Sequence, residues 1–227
     1  MIYIVIAIIL IVIIGPSIWV KITLNKYSTE LSELPGTGGE FAIHLINRFG
    51  LTEVSVEQGE EGQDHYSPDE KCIRLSPRYY NGKSITAVAI AAHEFGHALQ
   101  YFHQEPITKL REKYTPIAMG IERLSLTLIA IFPVIIAVFK VPQFGLISVL
   151  LGLSTLIISV LLQFIILPME WDASFNKAYP ILEKGNYLHE SDLPKIKRIL
   201  RAAALTYVAA TLSSLLNIWR WVRLFRR

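Results

Sequence analysis

Ser84-Ile85-Thr86-Ala87-Val88-Ala89-Ile90-Ala91-Ala92-His93-Glu94-Phe95-Gly96-His97-Ala98 is the stretch on which the reading of this chain turns. His93, Glu94 and His97 match the pattern H-E-x-x-H. Residues four apart lie on one face of a helix, so both imidazoles can reach one metal ion. Glu94 leans to the side, where it can hold a water on that metal. The pattern implies hydrolysis by a zinc-activated water, with Glu94 as general base. Ser84 reads as an N-cap ahead of helix-compatible apolar residues. Alanines at 89, 91, 92 and 98 would let this helix pack closely in a core. Two histidines and a glutamate are costly to bury in such a helix without a partner, and a metal is the simplest one.

The rest of the chain is apolar. Of its 227 residues 52% are hydrophobic and 18% charged, and the mean hydropathy is +0.40. That composition predicts a membrane protein. Four stretches are nearly free of charge: residues 1–20, 124–139 (extended to spanning length by 117–123), 141–169 and 202–219. A spanning helix needs roughly 17–25 mostly apolar residues. The first stretch lacks a basic leader and a small-residue cleavage site, so it reads as a retained anchor. The expected fold class is therefore mainly α: an integral membrane protein with about four hydrophobic helices and a small α+β zincin-like catalytic domain carrying the H-E-x-x-H helix. Cys72 is a lone cysteine and forms no intrachain disulfide. The net charge of +3 comes without a basic cluster interleaved with aromatics, so no nucleic-acid partner is expected.

The expected organisation is an anchor over 1–20, a catalytic region over 21–115, a transmembrane helical hairpin over 116–168, a third-ligand helix and polar segment over 169–201, and a transmembrane or interfacial helix with a basic tail over 202–227. Within the catalytic region, 40–49 has helical spacing closed by Gly50, and 51–58 and 71–76 read as strands around an acidic turn. The link at 140–143 is so short that the hairpin must be antiparallel, returning 170–201 to the side of His93 and His97. The larger count of lysine and arginine puts that side of a multi-pass cell-membrane protein in the cytoplasm. Trp171, Trp219 and Trp221 read as interface anchors, and Arg220, Arg223, Arg226 and Arg227 as contacts for anionic headgroups.

A catalytic zinc site commonly has three protein ligands and an open position. Two residues compete for the third place. His103 stands where H-E-x-x-H-x-x-G-x-x-H proteases have their last histidine. However, Gln100 occupies the position where glycine must turn the chain back, and a helix running on through Gln100 carries His103 away. Glu170 lies in Leu167-Pro168-Met169-Glu170-Trp171-Asp172-Ala173-Ser174. It shares a face with Ala173 and Ser174, small neighbours that allow a close approach to the His93/His97 helix.

The chain resembles the YugP-like family of bacterial membrane zinc metallopeptidases. The resemblance rests on His65-Tyr66, Ile73-Arg74-Leu75-Ser76, the run Ala91 to Gln100 and the run Leu167 to Ser174, and with the hydrophobic segments it covers almost the whole chain. It implies a zinc-dependent membrane endopeptidase with one Zn2+ per chain, His93, His97 and Glu170 as ligands and Glu94 as base. Its partners would be a protein or peptide substrate and the lipid bilayer. The arrangement is more distantly similar to the HtpX and CAAX-processing membrane proteases. In those, an aspartate four residues after the glutamate ligand orients a zinc histidine; here that position is Ser174. An oxyanion donor is sought among His65, Tyr66 and His189, and strand 71–76 is expected to pair with an extended substrate along its edge. The alternative from another class is a non-catalytic membrane scaffold with a structural zinc site, which would gain nothing from a base at Glu94.

Overall fold

The computed structural model of the chain describes residues 2–140 and 142–214 and is mainly helical with one small sheet. In chain order the described residues form α1 (Ile2–Lys26), α2 (Gly38–Phe49), β1 (Ser55–Gln58), β2 (His65–Ser67), β3 (Cys72–Leu75), α3 (Pro77–Tyr80), α4 (Ile85–Phe102), α5 (Thr108–Ala130), α6 (Phe132–Phe139) and α7 (Pro142–Trp171). A π-helical segment, Asp172–Ala178, follows, and then α8 (Tyr179–Lys184), α9 (Leu193–Ala204) and α10 (Thr206–Ser214). The end of the fourth apolar stretch, Trp219, Trp221 and the four terminal arginines lie outside the described residues.

The expected integral membrane architecture is corrected here. Counted over the described residues, no helix is long and apolar enough to cross a membrane. The physical reason is plainest where the apolar runs break. The second run is divided at Ile131 between α5 and α6, and Pro133 opens α6, where a missing N–H costs no intrahelical bond. Eight residues of α6 span only about 12 Å at 1.5 Å per residue. The start of the fourth run is divided at Leu205 between α9 and α10. Helix α1 takes in Lys21 and Lys26 along with the first run. The sidedness inferred from lysine and arginine counts rested on those spans.

The chain divides into two compact units. Over the described residues, one gathers 2–17, 110–140, 142–166 and 207–214. Hydroxyls join its helices: Ser17 Oγ donates to Ala209 O at 2.7 Å, and Ser125 Oγ, fully buried, donates to Thr155 Oγ1 at 2.6 Å.

The other unit, Ile18–Lys109 with Leu167–Thr206, is built around α4. Ser84 caps that helix by accepting from Ala87 N–H at 3.1 Å, which satisfies one of the orphan donors of the first turn. Every residue from Ile85 to Gln100 is buried. A helix buried all round must be apolar or small all round, and its alanines meet that need while keeping high helix propensity. Helices α2 and α9 and the π segment pack against it. Phe95 is wholly buried and meets Phe49 at 5.3 Å between ring centroids, a burial that stabilises by about 1.5–3 kcal/mol.

Helix α2 starts two residues before the 40–49 expected from the sequence. Thr37 and Glu40 form a capping box, so Gly38 and Gly39 lie in the first turn. A Cβ on Gly38 would sit 2.4 Å from Tyr79 O, so the backbone of α3 excludes any side chain there. Gly50 closes α2 in the left-handed region at φ 75°, as the sequence led us to expect.

The sheet has the order β1-β3-β2, with β1 parallel and β2 antiparallel to β3. Strand β2 has three residues, too few for alternation to show in the sequence. Its presence overturns the expectation that 71–76 offers an edge to substrate. β3 is the central strand and both its sides are already paired.

Candidate metal centre

His93 and His97 project from the middle of α4, and Glu170 comes from the last turn of α7. The glutamate arrives by a continuous helix. Pro168 lies inside α7 and does not begin a new element. The helix changes to π pairing only at Asp172, where Tyr179 N–H reaches Ser174 O five residues back. Single π segments of this kind collect at functional sites, because they re-aim side chains within one helix.

The two backbones touch at Gly96. A Cβ there would lie 2.6 Å from Ala173 O, so glycine is the residue that admits this approach. Ala173 and Ser174 are both fully buried against α4, in keeping with the small-residue face expected beside Glu170. Gly96→Ala should therefore cost about 1–3 kcal/mol of stability by overpacking. It should also weaken metal binding by pushing Glu170 outward. Thermal unfolding and zinc titration of the variant check this, and an unchanged protein in both would contradict the close approach.

The cluster is dry. His93, His97 and Glu170 are 4%, 1% and 1% exposed. Glu170 Oε2 is 3.4 Å from His93 Nε2 and 3.1 Å from His97 Nε2, and the three candidate ligand atoms lie within 4.8 Å of one another. Two ligand atoms on one tetrahedral zinc, each about 2.0–2.1 Å from the metal, are separated by about 3.3 Å.

The surrounding hydrogen bonds decide which way the imidazoles face. Gln100 Nε2 donates to Met169 O at 3.0 Å and to Asp172 Oδ2 at 2.8 Å, so its Oε1 is the atom 2.9 Å from His97 Nδ1. An amide oxygen only accepts, so His97 Nδ1 carries the proton. Ser174 Oγ donates its one proton to Leu200 O at 3.0 Å, so it accepts from His93 Nδ1 at 2.9 Å. A neutral imidazole protonated at Nδ1 has a lone pair at Nε2. Both Nε2 lone pairs therefore point at a carboxylate, and Glu170 Oε1 is buried with no hydrogen-bond partner. Converging acceptors without a donor between them call for a cation. The donor set of two imidazole nitrogens and a carboxylate suits zinc.

Glu94 is buried beside His93 on the same helix. The remaining candidates lie elsewhere. Helix α4 runs through Gln100 to Phe102, so His103 sits at its C-cap, exposed and in edge contact with the Phe102 ring. His65 Nδ1 bonds Gln63 O at 2.9 Å. Tyr66 is buried with its ring 5.7 Å from that of Tyr101. His189 is 81% exposed at the side chain, 3.9 Å from Glu33.

The sequence matches, over residues 2–226, the family described as "Putative neutral zinc metallopeptidase". The chain belongs to that family. A Bacillus subtilis (strain 168) protein described as "Putative membrane protease YugP" is 34% identical over 219 residues, 93% of this chain and 92% of that protein. No solved structure matches significantly.

This member of the zinc metallopeptidase family holds its two histidines by different means. Ser174 meets His93 from the π segment. Gln100 meets His97 from one turn along the same helix. The sequence reading took Gln100 only as a missing glycine. Its spacing was the available signal, since His93, His97 and Gln100 fall at i, i+4 and i+7, on one stripe of the helix.

Proposed function

We propose that the chain is a zinc-dependent endopeptidase acting on protein or peptide substrates. The observation that carries this reading is the convergence of His93 Nε2, His97 Nε2 and Glu170 in a buried site whose hydrogen bonds leave all three as acceptors. Family membership supports the same chemistry. Zinc bound there would supply Lewis acidity, polarising the scissile carbonyl and lowering the pKa of the attacking water to about 7.

The protein's own groups do the rest. His93, His97 and Glu170 would hold the metal. The Glu94 carboxylate takes a proton from the attacking water as its oxygen bonds to the carbonyl carbon. It then delivers that proton to the amine nitrogen as the carbon–nitrogen bond breaks. Among the described residues the cluster has three members, whereas a structural zinc site is usually closed by four protein ligands. That favours the enzyme over the scaffold. From the description of the Bacillus relative we also take association with a membrane as the working location.

The test is cleavage of an unfolded protein by the purified full chain, with one equivalent of zinc and with a chelator. Cleavage that needs the metal, at one Zn2+ per chain, is the expected result. A chain that binds no zinc would sink the reading.

A further inference from the structure

We infer that Gln100 is a positioning residue for His97 and that Asp172 and Lys177 act through it, an inference that rests on the zinc reading above. A glutamine beside a histidine is ambiguous in itself, because its amide can present either oxygen or NH2. Turned one way it fixes the Nδ1–H tautomer and leaves Nε2 free for a metal. Turned the other way it donates to Nδ1, forces the proton onto Nε2 and blocks coordination.

Here the choice is made on the far side of the amide. Gln100 Nε2 faces two acceptors, Met169 O at 3.0 Å and Asp172 Oδ2 at 2.8 Å. A flip would set the amide oxygen against both of them. Gln100 is fully buried, so no water relieves that repulsion.

Asp172 is held in turn. Its Oδ1 accepts from Asn176 Nδ2 at 2.7 Å, and its Oδ2 lies 3.2 Å from Lys177 Nζ. Lys177 Nζ also reaches Glu105 Oε1 at 2.8 Å, just past the end of α4. Asn176 occupies Asp172 Oδ1 and Lys177 lies against Oδ2, so Oδ2 is fixed where it accepts from the Gln100 amide and keeps that amide turned. The π segment supplies both holders of the histidines: Ser174 for His93 directly, and Asp172 for His97 through Gln100.

The test is zinc affinity, measured by chelator competition on the purified full chain, for the parent, Gln100→Met, Asp172→Asn and the double variant. Cobalt(II) absorption of each gives the ligand geometry. Methionine fills the space of Gln100 without polar atoms, so its zinc affinity should fall roughly 10–100-fold with an altered cobalt spectrum. Asp172→Asn can offer NH2 in place of oxygen and so lets the amide turn; its loss should be smaller. Because Asp172 acts through Gln100, the double variant should bind no worse than Gln100→Met alone.

Gln100→Met with the affinity and cobalt spectrum of the parent would overturn the inference. So would losses that add in the double variant. If Gln100→Met does not fold, Asp172→Asn decides, since it keeps its size: parent-like affinity there overturns the relay. A parent that binds no zinc would instead bring down the peptidase reading itself, a result distinct from either.

Discussion

Replacing Glu94 by glutamine is expected to slow hydrolysis of an unfolded protein by about 10²–10⁴-fold while zinc stays at one per chain. Glutamine has the shape of glutamate and still hydrogen-bonds, but it cannot take a proton. Glu94 is not among the three residues whose ligand atoms meet, so metal binding should survive the change. The rate loss should fall on kcat, because the base acts only as the water attacks. Proteolysis assays on parent and variant, with zinc measured in the same samples, make the comparison. Equal rates would point to a contaminating protease. A variant that had lost its zinc would show Glu94 serving the metal and not the proton.

The parts of this site that were readable in the sequence are those where chemistry and period coincide. His93 and His97 at i, i+4 need only a helix to meet, and the Ser84 cap with the alanine-rich run after it announces one. Glu170 was readable because small residues follow it at helical spacing. The contact partner was hidden: Gly96 looks like any helix glycine until Ala173 O is found against it. The second support of the metal was hidden for a different reason. Gln100 acts through the direction of its amide, and that direction depends on Asp172, seventy-two residues away and reached through a π segment that no α-helical wheel would anticipate. Strand β2 was too short to alternate, so the central place of β3 could not be read. Apolar runs misled most. Composition counts residues along the chain, whereas breaks such as that at Ile131 depend on local backbone and on the proline that follows.

Replacing Glu170 by glutamine should invert the order of stability between the metal-free and zinc-loaded proteins. The bonds to Gln100 and Ser174 hold the His97 and His93 protons on Nδ1. In the metal-free parent two Nε2 lone pairs then face a buried carboxylate, and nothing compensates its desolvation. A glutamine can turn its NH2 toward both nitrogens and donate, at about 0.5–1.5 kcal/mol per hydrogen bond made. With chelator present, the Glu170→Gln protein should therefore unfold at the higher temperature. Zinc reverses this. A ligand at a hundred times its Kd stabilises the parent by about 2.7 kcal/mol. Zinc sites worth about 10–16 kcal/mol over four ligands imply ~3 kcal/mol for one, or ~10²-fold in Kd, so the variant gains almost nothing at the same concentration. Paired thermal unfolding curves, with chelator and with zinc, carry the whole comparison. A parent that remains the more stable protein in chelator would mean that the imidazoles donate Nε2–H to Glu170, in which case the cluster is a closed hydrogen-bond network and not a cation site.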